Sequence, residues 1–180
     1  MNLNEYQKEA KRTLPSGQST LILACGLCGE IAEASDYVID AHIGNDYDHS
    51  KGMLVELGDV MWYTACMAWT FGAELQDVRD AIEKDTSDLM RSNTGLTLQL
   101  AKHAGKAADV IKKAVGHGHP LDRQQVIAHL GECIWYLGVL AARFGWNMAD
   151  VLRTNVDKLR ARYPDGFSTE ASMARVDVAS

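Results

Sequence analysis

Two short segments of this 180-residue chain carry carboxylates at helical spacing among apolar neighbours. In GLCGEIAEASDYV, residues 26–38, Glu30 and Glu33 stand three apart, and in KGMLVELGDVMWYTACMAW, residues 51–69, Glu56 and Asp59 do the same. Residues three apart project from one face of a helix, so each segment presents a pair of acids. From Met53 to Phe71 the charged residues are Glu56 and Asp59, which makes a solvated surface face a poor account of that segment. Four anions gathered in a low dielectric repel and lose hydration, at a cost of several kcal/mol per ion, and call for a counter-charge. An all-oxygen set selects a hard divalent cation, Mg²⁺ or Mn²⁺ rather than Zn²⁺. A magnesium that keeps some of its waters suits phosphate chemistry, so phosphoanhydride hydrolysis is the leading reaction class.

The elements that must position these acids read as all-α. Apolar periodicity predicts helices near 3–13, 18–42, 50–71, 74–90, 97–116, 123–144 and 148–162. Breaks fall at PSGQS, IGNDYDHSKG, RSNTG, GHGHPLD and YPDG, which hold the three prolines and the expected turn residues. An internal repeat then appears. ELGDVMWYTACMAWTFG (56–72) aligns without a gap on HLGECIWYLGVLAARFG (129–145), with seven of seventeen positions identical, and GEIAEASDYV falls on GKAADVIKKA. This is the signature of a tandem duplication, with units at 1–92 and 93–180, each expected to bury its apolar face against the other in a pseudo-two-fold helical bundle.

The pattern Glu-x-x-Glu, spacer, Glu-x-x-Asp inside ELGD resembles the MazG-like members of the all-α nucleoside triphosphate pyrophosphohydrolase superfamily. GHGHPLDRQQ and NVDKLRARYPDGFS are similar to segments of small, often phage-borne, MazG-like proteins. The resemblance implies Mg²⁺-dependent cleavage of a nucleoside triphosphate between the α and β phosphates, giving a monophosphate and pyrophosphate. It implies Glu30, Glu33, Glu56 and Asp59 as metal ligands, with Glu33 orienting or deprotonating the attacking water. It also implies association of two chains, since such families build dimers or tetramers.

The second unit departs from this pattern. Lys106 and Asp109 stand where the first has Glu30 and Glu33, and His129 and Glu132 replace Glu56 and Asp59. A lysine among acids supplies the charge a metal would bring, so the second set is expected to persist as an ion-paired core cluster without a catalytic metal. Conversely, NVDKLRARYPDGF has no good match in the first unit, where Asp85 takes the place of Lys158. If members of the family build each site from the acids of one subunit and the cationic tail of another, one composite site per chain is expected, with the first unit's acids holding the metal and Asn155, Lys158, Arg162 and Tyr163 contacting phosphate or sugar. Tyr6 and Gln7 of the first helix are further candidates for the base pocket.

Other classes fit less well. A net charge of −6 offers no basic face for a nucleic-acid polymer. Cys25, Cys28, Cys66 and Cys133 sit in apolar runs, which suits a reducing, cytoplasmic setting. The longest apolar run, near 60–73, is short for a membrane span, and the N-terminal stretch carries Glu5 and Glu9 at helix-like spacing, unlike a cleavable signal. His117 and His119 in GHGHP read as a turn, with no third ligand at useful spacing. A di-iron bundle needs Glu-x-x-His, which the sequence lacks. The remaining alternatives are a catalytically reduced nucleotide-binding scaffold and a phosphoribosyl-ATP pyrophosphohydrolase, which shares the helical fold and acidic motifs.

Overall fold

Four of the five longest helices, and the first helix of the chain, start where a short polar side chain satisfies their first free amides. In the computed structural model, which describes residues 1–43, 50–83 and 86–175, Asn2 and Glu5 form a capping box at the start of α1 (Leu3–Arg12). Ser19 caps α2 (Thr20–His42), and α3 runs over Ser50–Thr70. After the short α4 (Leu75–Asp80), Ser92 caps α5 (Asn93–His117) and Asp122 caps α6 (Arg123–Arg143). Asn147 and Asp150 box the start of α7 (Met148–Arg162), and Ser168 caps α8 (Thr169–Ala174). Among the described residues all regular structure is helical, as the periodicity predicts.

The helices pack as two hairpins, α2 with α3 and α5 with α6, set against each other through α2 on α5 and α3 on α6. The connections then cross over. α4, which follows α3, lies on α6, and α7, which follows α6, lies on α3, while α1 touches α3, α4 and α7. One continuous apolar core results, with Leu27, Leu57, Met61, Leu100, Leu130 and Leu140 almost wholly shielded from water. Each such side chain contributes about 1.5–3 kcal/mol through burial.

Three sequence expectations change. The helix expected over 74–90 is broken: α4 stops at Asp80, the Ile82 amide bonds back only three residues to Arg79, and Thr86–Met90 forms a separate 3-10 turn. α5 begins a turn earlier than expected because Ser92 accepts from the Gly95 amide at 3.1 Å. α8 was not anticipated at all; none of its residues is buried, so it leaves no apolar period in the sequence. In addition, α6 is long and apolar enough to cross a membrane by length and composition, although no such segment was expected. Its apolar content is accounted for by packing, since 56% of its most apolar 18-residue stretch is buried inside the bundle.

Candidate metal and phosphate site

The acids lie between two close contacts of α2 with α3, which four residues make. A Cβ at Gly26 would fall 2.2 Å from the Tyr63 ring, and one at Gly52 would fall 2.2 Å from the Tyr37 ring. Each helix therefore offers a glycine gap to a tyrosine of the other. The acid pairs sit between these two contacts, Glu30 and Glu33 on α2 facing Glu56 and Asp59 on α3. One carboxylate oxygen from each of Glu30, Glu33 and Glu56 lies within 4.8 Å of the others. Glu30 and Glu56 are half-buried, while Glu33 is exposed at the rim.

Asp59 stands apart from those three because α7 has engaged it. Its Oδ1 accepts from Asn155 Nδ2 at 2.9 Å, and its Oδ2 is ion-paired with Lys158 Nζ. Asn155 is itself held: the Tyr6 hydroxyl, fully buried, donates to Asn155 Oδ1 at 2.7 Å. Gly58 makes room for this, since a Cβ there would lie 2.9 Å from Asn155 Cβ. Thus α1, α3 and α7 meet at one carboxylate. Tyr6 and Gln7, expected at the base pocket, line neither the cleft around the acids nor the aromatic crevice of Trp62, Tyr63, Tyr163 and Phe167 beside it. Gln7 instead holds the α3–α4 connection, donating to Ala73 O at 2.9 Å and accepting from the Leu75 amide at 3.1 Å.

Electrostatics show the site short of positive charge. Burial, followed by the charges of Asp59, Glu33 and Glu56, raises the Glu30 carboxyl to about 7. Burial with Asp59 and Glu33 raises Glu56 to about 6. Lys158 opposes both shifts without cancelling them. A divalent cation fits this set on chemistry and on spacing: the donors are all hard oxygens, and ligands on opposite sides of a bound Mg²⁺ are roughly 4 Å apart.

The acidic cleft has a volume of about 760 Å³, bounded by the four acids, Lys158, Arg162 and Arg175. It adjoins a crevice of about 300 Å³ that shares Glu30, Asp59 and Arg162 and is walled by Trp62, Tyr63, Tyr163 and Phe167. Tyr163 is buried at the end of α7, with its ring 5.5 Å from that of Phe167. Arg12 Nη1 anchors that end by donating to Tyr163 O at 2.5 Å. All eight residues expected at the site, Glu30, Glu33, Glu56, Asp59, Asn155, Lys158, Arg162 and Tyr163, therefore gather here; Asn155 lies beneath the cleft on Asp59 rather than in its wall. Sequence reasoning missed Trp62, Tyr63, Phe167 and Arg175. Trp62 and Tyr63 follow Asp59 by three and four residues, which places them on its helix face and was signal enough.

The second set of residues does not form the ion-paired core cluster expected of it. Lys106 is exposed, and Asp109 pairs on the surface with Lys112 and Lys113 at 2.5 and 2.7 Å. His129 turns to His103, their Nδ1 atoms 3.3 Å apart, with burial the main cause holding both imidazoles below the usual histidine range. The spacing lets surface lysines one turn along α5 neutralise Asp109, so no buried pair is needed. Asp85 lies outside the described residues. His117 ends α5 and Gly118 follows it with φ of 71°, as a turn requires. Among the described residues, Glu30, Glu33 and Glu56 are the one group placed to share a metal ion. The chain matches no family model, no curated protein and no solved structure.

Proposed function

We propose that the chain is a Mg²⁺-dependent nucleoside triphosphate pyrophosphohydrolase of MazG-like type, with Mn²⁺ able to substitute. The observation that carries this reading is the convergence of the Glu30, Glu33 and Glu56 oxygens within 4.8 Å, beside Lys158 and opening onto an aromatic crevice. When bound, the ion supplies charge neutralisation for phosphate oxygens and a more acidic water. The protein's own residues do the rest. Glu30, Glu33 and Glu56 hold the ion, Asp59 joins them as Lys158 shifts from it to phosphate, and Glu33, exposed at the rim, accepts the proton of the attacking water. Lys158 and Arg162 bind phosphate, and Trp62, Tyr63 and Tyr163 offer faces on which a base can stack. Water attacks phosphorus, the bridging P–O bond between the α and β phosphates breaks, and the products are a nucleoside monophosphate and pyrophosphate.

Two further parts of the reading have separate support. Duplication is supported by matched contacts under a 73-residue offset: Gly58 packs on Asn155, and its counterpart Gly131 packs on Ile82, the counterpart of Asn155. The crossing of α4 to α6 and of α7 to α3 is what two units exchanging their last helices would give, and it brings the second unit's Lys158 to the first unit's acids. The enzyme acts in the cytoplasm on the free nucleotide pool, as an assembly of two chains. A panel of nucleotides with Mg²⁺, read by phosphate release with added pyrophosphatase, tests the activity. Turnover abolished by EDTA and by Glu56→Gln is expected; no turnover of any nucleotide at micromolar enzyme would favour the scaffold reading and overturn this one.

A further inference from the structure

Helix α2 is apolar on two opposite sides. Leu23, Leu27, Ile31, Ala34 and Val38 face the core, as the helix's packing on α3 and α5 requires. The far side carries a second seam at alternating three- and four-residue spacing: Ile22, Cys25, Gly29, Ala32, Asp36 and Ile39. Those residues are exposed, Ile22 and Ile39 each to 56%. Helix α5, packed beside α2, repeats the seam at a 76-residue offset with Leu98, Ala101, Gly105, Ala108, Lys112 and Val115. Leu98 is 65% and Val115 58% exposed, and a Cβ on Gly29 or Gly105 would meet nothing within 4 Å. A single exposed leucine needs no explanation. Two adjacent helices each showing large aliphatics at both ends of a small-residue seam do, because that spacing is the seam helices use to pack on other helices.

We propose that this α2–α5 face docks on the same face of a second copy of the chain, with α2 of each copy lying over α5 of the other. Charge selects both the partner and the pairing. The outer side of α2 bears Asp36, exposed, and Asp40, half-buried, whereas that of α5 bears Lys102, Lys106, Lys112 and Lys113, with Asp109 bridging the last two. Setting α2 on α2 would oppose like charges, and setting α2 on α5 places acids over lysines twice in one two-fold contact. The glycines and alanines midway along each seam let the backbones approach, and the aliphatic ends close over them. A lipid surface would have to bury Asp36 and the Lys112–Asp109 ion pair, a cost that a charge-matched protein face avoids. This names the face for the two-chain assembly proposed above and makes no use of the acidic cleft's chemistry.

The test is the mass of the whole chain by light scattering or sedimentation, independent of any nucleotide assay. Wild type is expected at twice its 19.8 kDa at tens of micromolar. Gly105→Arg lies away from the acidic cleft, points into open space and replaces a poor helix former, so its circular dichroism is expected to remain native while association weakens about a hundredfold. Asp36→Lys is expected to weaken association about tenfold at low salt and less at high salt. Cys25, exposed on the single chain, is expected to react slowly with a thiol reagent in wild type and quickly in Gly105→Arg. A wild-type chain that stays single overturns the proposal, as does a natively folded Gly105→Arg that stays paired. A single chain that pellets with phosphatidylcholine vesicles would assign the face to a membrane and overturn it equally.

Discussion

Glu30→Gln is expected to stabilise the metal-free chain at alkaline pH, the reverse of what removing an ionised side chain from a paired site does. Burial and three neighbouring acids raise the Glu30 carboxyl from its ordinary 4.5 to about 7. Between those values the native chain holds more protons than the unfolded one. Stability therefore falls as pH rises through this window, and the deficit is complete above about 7. Converted in full, the shift amounts to about 3 kcal/mol. Glu30 is only half-buried, and solvent screening reduces this to roughly 1–2 kcal/mol. A neutral glutamine of the same shape removes the deficit. Urea unfolding in EDTA at about pH 5 and about pH 8 is the assay. The variant should gain roughly 1–2 kcal/mol over wild type at the higher pH and nothing at the lower. Adding Mn²⁺ should stabilise wild type strongly at the higher pH and the variant much less. A variant less stable than wild type at about pH 8 in EDTA would refute the electrostatic account of this cleft.

Three other substitutions probe the same region. Lys158→Ala removes the cation from Asp59 and should tighten Mn²⁺ binding by calorimetry while lowering kcat about 10²-fold or more in the phosphate-release assay; unchanged kcat and KM would exclude a composite site. Gly58→Ala drives a methyl to 2.9 Å from Asn155 Cβ and should cost about 1–3 kcal/mol in urea unfolding. Tyr6→Phe leaves Asn155 Oδ1 buried without its 2.7 Å donor and should cost about 1–3 kcal/mol by the same measurement, with nucleotide KM less affected than kcat because Asn155 acts through Asp59.

The helices that build the site were legible because each long one has a wide apolar stripe, and some begin at a polar cap that the sequence displays, as with Asp122 before α6. Segment 74–90 misled because Ile82, whose position continues the apolar period of α4, instead lies past the end of that helix and abuts Gly131 of α6. The acid pairs were legible from spacing alone. The network that fixes Asp59 was not, since Tyr6 and Asn155 are 149 residues apart and neither carries a charge to advertise its role. Nor did spacing reveal that Asp59 would be claimed by α7 while the three glutamates faced one another, because helix periodicity gives direction and not the distance between helices.

The crossing of α4 and α7 has a consequence for how the chain comes into being. Asp59 leaves the ribosome 99 residues ahead of the lysine that neutralises it, and α3 emerges long before α7 covers its flank. The first half cannot close on itself, because its own last helix belongs on α6. Synthesis therefore delivers an open apolar hairpin that must wait for the remainder, and the contacts that finish it span most of the chain, which slows folding. Cutting between α4 and α5 would yield two unfinished halves, and a premature stop anywhere before Lys158 would leave the acids without their cation.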